Sequence, residues 1–176
     1  MADFKTYKFV TNIKTALGHE TAGTADEIVK HVDCAGVGYE VIDGSCVPYM
    51  DFDFCYDDEK ARAVNEDSDV SASIKAVRAQ YPTGILLVLT ANGHSSKKDI
   101  HVNSIHIVVR GAGYFNSGAE LLESFNPELA AIVDKSVYKR AGMRQLFRMP
   151  YCSEEGELRP FVLKDNNGET YTDVNA

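Results

Sequence analysis

The chain has 176 residues, a net charge of -8 and the apolar content of an ordinary globular protein. This length suits one domain, and no apolar run approaches the roughly 18 residues that a membrane-spanning helix needs, so no membrane partner is expected. The acidic balance argues against a protein that coats nucleic acid through a general positive field.

The start of the chain and its cysteines indicate a compartment. The first ten residues lack the long apolar segment of a secretory signal peptide, which favours a cytoplasmic or other intracellular location. The four cysteines stand at wide spacings without a C-x-x-C pair, so we expect reduced thiols and no zinc site. These cysteines are Cys34, Cys46, Cys55 and Cys152.

The first elements predicted along the chain are a short helix and two strands. Residues 24–27 have a capping-box pattern ahead of apolar residues at helical spacing. Residues 39–42 and 47–54 have the composition of strands. The turn signal Asp43-Gly44 between them predicts that the two strands form a hairpin.

The second half of the chain alternates between helical and strand patterns. Apolar residues at helical spacing predict a surface helix from Asp69 to the Tyr81-Pro82 pair. Residues 84–90 form an apolar run typical of a buried central strand, followed by a predicted polar loop over 91–98. Residues 104–110 and 145–149 indicate further strands, and 117–134 is an apolar-rich segment between them.

No internal repeat or linker divides the chain, so we predict a single α+β domain over residues 1–176 with a mixed or antiparallel sheet. Residues 1–45 would form the N-terminal part of a small lobe and 46–153 the core that carries the motifs. Residues 154–176 would form a C-terminal edge.

The first candidate site is the acidic pair in residues 49–54. On a strand, Asp51 and Asp53 would point to one face and Phe52 and Phe54 to the other. Two carboxylates on a rigid strand can hold paired magnesium or manganese ions, which stand about 3.5 to 4 Å apart in phosphoryl-transfer sites. The alternative is a solvated acidic edge strand.

The second candidate site is the pair Ser104 and His106, which would share one face of a strand whose other face is apolar. Serine and histidine can both donate hydrogen bonds to phosphate oxygens, and histidine can add positive charge. The alternative is a histidine that simply faces solvent.

The third candidate site lies in residues 134–148, where one acid precedes several basic residues. Asp134 would complete a site of three carboxylates, and Arg148 on a strand could bind phosphate through two parallel hydrogen bonds. The alternative is a helix cap followed by a solvated basic loop.

In this order the three sites resemble the motifs of the archaeo-eukaryotic primase superfamily. Its first motif is an apolar strand ending in Asp-x-Asp/Glu, its second is Ser-x-His, and its third is an acidic residue. Within it the chain looks most similar to the PrimPol-like and large-DNA-virus primases, on the additional segments 39–42, 134–138 and 146–150. The resemblance covers roughly residues 37–153.

The resemblance implies an RRM-like primase catalytic core and a DNA primase or primase-polymerase that makes primers on single-stranded DNA from NTPs or dNTPs. It implies an intracellular replication site, a replicative helicase as partner and a two-metal site of Mg²⁺ or Mn²⁺. Asp51, Asp53 and Asp134 would bind the metals, and these residues with His106 would be catalytic. Nucleotide binding would fall to Ser104, His106, Arg144 and Arg148.

Two departures from the pattern weaken the expected grip on the triphosphate. The basic residue often found before Ser-x-His is Val102 or Asn103 here, and the lysine often found after the last motif is replaced by glutamate. The candidate substitutes are Lys97, Lys98 and His101.

Three alternatives to a primase stay open. A nuclease or a D-x-D nucleotide-sugar transferase would use the same metal clamp on another substrate. A non-catalytic nucleic-acid-binding sheet would rely on exposed aromatic residues for stacking. An inactive enzyme-like domain that recruits a helicase is the third.

Overall fold

A computed structural model describes residues 7–10, 21–23, 39–148, 150–153 and 156–164 as two four-stranded sheets with helices. The N-terminal sheet has the order β2-β1-β3-β7 and contains β1 (Tyr7–Val10), β2 (Thr21–Gly23), β3 (Tyr39–Ile42) and β7 (Gln145–Arg148). The central sheet has the order β4-β6-β5-β8 and contains β4 (Tyr49–Tyr56), β5 (Ile85–Ser95), β6 (Ile100–Arg110) and β8 (Val162–Lys164). Neighbouring strands are antiparallel in both sheets.

The predicted hairpin between residues 39–42 and 47–54 is wrong, because the two strands lie in different sheets. Strand β3 pairs with β1 and β7, whereas β4 pairs with β6. The intervening segment is held elsewhere: Cys46 exchanges two backbone hydrogen bonds of 2.9 Å with Phe115. The Asp43-Gly44 turn therefore redirects the chain between sheets.

The predicted polar loop at 91–98 is wrong in its first part. Strand β5 continues to Ser95 and pairs with β6 from the Ile85–Arg110 pair to the Ser95–Ile100 pair. Polar residues 92–95 can remain in a strand because the ladder bonds of a hairpin do not depend on side-chain polarity. The long β5–β6 hairpin carries a turn at its tip that includes Lys97 and Lys98.

Helix α1 (Glu59–Gln80) begins well before the predicted start at Asp69. The Asp58 side chain caps it by accepting a 2.8 Å hydrogen bond from the Ala61 N–H. The first half was missed because the side chains buried there include Arg62 and Asp69, which leave no apolar period to read. Proline at position 82 follows the end of the helix, as predicted.

Residues 117–134 form two short helices, α2 (Gly118–Glu123) and α3 (Pro127–Ile132), followed by a 3₁₀ turn, η1 (Lys135–Val137). They join one apolar core with α1 and the central sheet. The fully buried members of this core include Met50, Phe52, Val77, Ile105, Ile107, Leu121 and Leu129.

These elements make the protein an α+β fold with antiparallel sheets and few helices. The helix predicted from residues 24–27 onward, and the end of the chain beyond Lys164, lie outside the described residues. Within the described ranges, no helix combines the length and the apolar character that crossing a bilayer requires.

Candidate functional site

A cavity of about 130 Å³ opens on the face of the central sheet opposite α1. Strands β4 and β6 form its floor, and the β5–β6 turn, Arg148 and a C-terminal segment form its walls. Its charged lining residues are Asp51, Asp53, Lys97, Lys98, Arg148 and Arg159. Because carboxylates and cations border one space, the cavity suits a ligand that carries both metal ions and anionic groups.

The pairing of β4 with β6 brings the first two motifs together. Asp51 stands opposite His106 and Asp53 stands opposite Ser104 in the register of the strands. His106 Nε2 lies 3.3 Å from Asp51 Oδ1, and Ser104 Oγ donates a 2.6 Å hydrogen bond to Asp53 Oδ1. The alternation of side chains in the two strands thus places all four residues on the cavity face.

The Asp53 carboxylate is held ionised by its neighbours. Burial alone would raise its pKa, but the hydrogen bond from Ser104 and the charge of Lys98 outweigh that effect and lower the pKa below its ordinary value. Lys98 Nζ lies 3.2 Å from Asp53 Oδ2, and the charge of Asp53 is the main cause of the raised pKa of Lys98. The ammonium thus neutralises one carboxylate of the cavity.

The His106 ring is fixed between two aromatic rings. Its centroid lies 4.0 Å from that of Phe147 and 3.7 Å from that of Phe161, with interplanar angles of 18° and 27°. The side chain is only 5% exposed, and Nδ1 has no hydrogen-bond partner among the described residues. This packing leaves the imidazole little freedom to turn away from Asp51.

Asp134 reaches the first motif through its backbone. Its N–H donates a 2.8 Å hydrogen bond to the Asp51 carbonyl. Its side chain instead caps η1, accepting from the Ser136 N–H at 2.8 Å and from Ser136 Oγ at 3.0 Å. Asp134 is therefore adjacent to the cavity, with its carboxylate directed at Ser136.

The two predicted arginines differ in position. Arg148 lines the cavity; its Nη1 donates to the Arg159 carbonyl at 3.2 Å, and its guanidinium lies 4.6 Å from the centroid of the Phe161 ring. Arg144 is exposed and does not line the cavity. The structure thus brings Arg148 to the two motifs and leaves Arg144 outside.

Lys97 and Lys98 also line the cavity, whereas His101 does not. His101 pairs with Tyr56 in the register and its Nδ1 lies 3.0 Å from Glu59 on α1, so it belongs to the opposite face. Of the three substitutes considered for the missing basic residue, only the two lysines therefore border the cavity.

Arg159 and Phe161 were missed from the sequence. They come from the C-terminal segment predicted as an edge, which β8 fixes beside β5 through antiparallel pairing. Arg159 is buried and Phe161 is fully buried, and both line the cavity. The one local signal was an Arg-Pro pair directly before the apolar run at 161–163, which indicates a strand but not its neighbour.

The cavity supplies some of the oxygen ligands that a hard divalent cation needs. Asp51 and Asp53 both face the cavity, with side chains 15% and 27% exposed, and such cations bind carboxylates while keeping several waters. Among the described residues no three His, Cys, Asp or Glu side chains form a group that could hold a metal ion. A three-carboxylate site would require the Asp134 side chain to turn from Ser136 toward Asp51.

The chemistry of the cavity indicates a class of protein. It is an α+β domain whose central sheet carries two aspartates and a fixed histidine beside several cationic side chains. No family model and no curated protein matches the chain.

Proposed function

We propose that this protein is a template-dependent nucleotidyl transferase, a DNA primase or primase-polymerase, that makes primers on single-stranded DNA. The proposal includes an RRM-like primase core for the central sheet and an intracellular replication site shared with a helicase. One observation carries it: Asp51, Asp53, Ser104 and His106, from two separated motifs, border one cavity through the register of β4 and β6.

The cavity supplies the charges that nucleotide addition requires. Divalent ions held by Asp51 and Asp53, and by Asp134 after its side chain turns, would bind the triphosphate and lower the pKa of the attacking 3′-hydroxyl. Arg148, which lines the same cavity, would contact phosphate oxygens. His106 is held beside Asp51 by stacking, so it is oriented before a substrate arrives.

The face itself argues against a non-catalytic nucleic-acid-binding sheet. Such domains stack bases on exposed aromatic side chains. Here two described aromatic residues on the cavity side, Phe147 and Phe161, are 6% and 0% exposed and pack on His106. Most of the other described residues that line the cavity are charged or polar.

The test is primer synthesis on single-stranded DNA with NTPs or dNTPs and Mg²⁺ or Mn²⁺. Asp51→Asn plus Asp53→Asn should abolish product, a loss of at least about 10³-fold, because the ions would lose their main ligands. The matched control, Asp57→Asn plus Asp67→Asn, removes the same charge at two exposed positions and should keep wild-type activity.

Two outcomes would contradict the proposal. One is primer synthesis by the doubly substituted protein at the wild-type rate. The other is a folded wild type that makes no primer with either metal; cleavage of DNA or hydrolysis of a nucleotide sugar in the same mixtures would identify a different metal-dependent enzyme.

A further inference from the structure

A buried arginine that the motifs do not include lies in the wall of the cavity. The Arg159 side chain is 8% exposed and crosses strand β5 above Gly93. A Cβ at Gly93 would stand 3.4 Å from Arg159 Cδ and 3.6 Å from Cγ, and the φ of Gly93 is +133°, where a side chain is strained. Strand β5 therefore has a glycine at the position over which this arginine passes.

Hydrogen bonds hold the Arg159 guanidinium in one orientation. Nη1 donates to the Ala91 carbonyl at 2.9 Å and lies 3.5 Å from Ser104 Oγ, and Nε lies 3.3 Å from Glu157 Oε2. The Ser104 proton goes to Asp53, so at Ser104 the guanidinium meets an acceptor. The second terminal nitrogen, Nη2, has no hydrogen-bond partner in the described part of the chain.

Glu157 is the anchor of this arrangement. Its side chain is 0% exposed, and it accepts from the Lys97 N–H at 3.2 Å and from Ser95 Oγ at 3.4 Å as well as from Arg159. Burial would raise the pKa of Glu157, but the Lys97 N–H and Arg159 outweigh it and lower the pKa. The carboxylate therefore stays charged and ties the β5–β6 turn to the C-terminal segment.

Burying an ion pair costs free energy because both charges lose their contact with water, and apolar side chains of similar volume often stabilise a fold equally well. The pair is more useful where one partner must present charge to a ligand. A fixed guanidinium whose Nη2 meets no other described residue matches the oxygens of phosphate, and Arg148 and Lys98 line the same cavity.

We infer that Arg159, positioned by Glu157, binds the phosphate chain of the nucleoside triphosphate in this cavity. The choice of a nucleoside triphosphate rests on the proposed function. The phosphate-binding role rests on the geometry of Arg159 alone.

Binding of inorganic tripolyphosphate, measured by calorimetry in Mg²⁺, tests the inference without requiring catalysis. Arg159→Gln should weaken binding about 10- to 100-fold, because it removes a charge-assisted hydrogen bond. Arg159→Lys keeps the charge but not the planar donors and should bind about three- to tenfold more weakly than wild type.

Arg62 provides the matched control. It is also a buried arginine paired with carboxylates, Glu59 and Glu66, but it belongs to α1, which packs on the other face of the central sheet. Arg62→Gln and Arg62→Lys should lower the melting temperature and leave tripolyphosphate affinity within about twofold of wild type in the folded protein.

Three results would each overturn the inference. They are wild-type tripolyphosphate affinity in Arg159→Gln, equal losses of affinity in the Arg62 and Arg159 variants, and no binding by the wild type. If Arg159→Gln does not fold, Arg159→Lys decides, and wild-type affinity in that variant would overturn it. Tripolyphosphate binding that depends on Arg159 in a protein that makes no primer would sustain this site and remove the proposed function.

Discussion

The two faces of the central sheet both bury polar residues, and on the face opposite α1 the described residues leave them beside a cavity. Under α1, Asn103 Nδ2 donates to Asp69 at 2.8 Å and to the Arg62 carbonyl at 3.1 Å, and its Oδ1 accepts from Arg62 Nη1 at 2.8 Å. On the other face, Asp51, Asp53 and His106 border the cavity.

Buried polar residues do not by themselves mark a functional site. The group under α1 is closed, since Tyr56 also donates to Asp69 and Arg62 also binds Glu59 and Glu66. Its members fix the helix on the sheet. The cavity face differs in having volume beside its charges, which is what a ligand needs.

Adjacent residues of β6 give the largest expected difference between the faces. Asn103→Ala should lower the free energy of unfolding by about 3 kcal/mol, because it leaves Arg62 and Asp69 buried with unmet hydrogen bonds. Ser104→Ala should lower the free energy of unfolding by only about 1 kcal/mol, because the Asp53 carboxylate keeps its ion pair with Lys98 and still faces the cavity.

Chemical denaturation of both variants measures this difference, and primer synthesis provides the second readout. Ser104→Ala should reduce synthesis more than Asn103→Ala does at a temperature where both are folded. Equal losses of unfolding free energy in the two variants would contradict the distinction between a structural face and a binding face.

A smaller effect concerns acid titration under α1. The hydrogen bond from Arg62 is the main reason that the pKa of Glu59 falls from 4.5 to about 2. A lowered carboxylate pKa stabilises the fold fully above about pH 4.5, and this contribution is lost as the pH falls toward 2. Arg62→Gln should return the pKa of Glu59 toward 4.5 in a carbon-13 NMR titration.

The stability change from that substitution through Glu59 is expected to be small, because the Glu59 side chain is 56% exposed. A Glu59 titration that stays near pH 2 in Arg62→Gln would show that His101, rather than Arg62, holds the carboxylate. That result would contradict the description of the residues under α1 as a closed hydrogen-bonded group.

Side-chain alternation within a strand was readable from the sequence, whereas the pairing of strands was not. Asp51 and Asp53 lie on one face of β4, and Ser104 and His106 on one face of β6, because the period of a strand is two residues. Nothing local specified that β4 pairs with β6. The Asp43-Gly44 turn signal instead predicted a hairpin, because turn propensity carries no information about the partner across the turn.

Two further misses have the same physical origin. The start of α1 was missed because its buried face includes Arg62 and Asp69. Both side chains hydrogen bond to Asn103 on β6, a contact that appears only in the folded structure. Arg159 was missed because its place depends on β8 joining β5, a contact between residues about seventy positions apart in the chain.

The most direct measurement is the anomalous diffraction of Mn²⁺ in crystals grown with a nucleoside triphosphate. We expect manganese bound to the carboxylates of Asp51 and Asp53, the Asp134 side chain turned from Ser136 toward the ion, and phosphates directed at Arg148 and Arg159. Manganese and nucleotide bound elsewhere, with Asp51 and Asp53 unchanged beside His106 and Lys98, would contradict it.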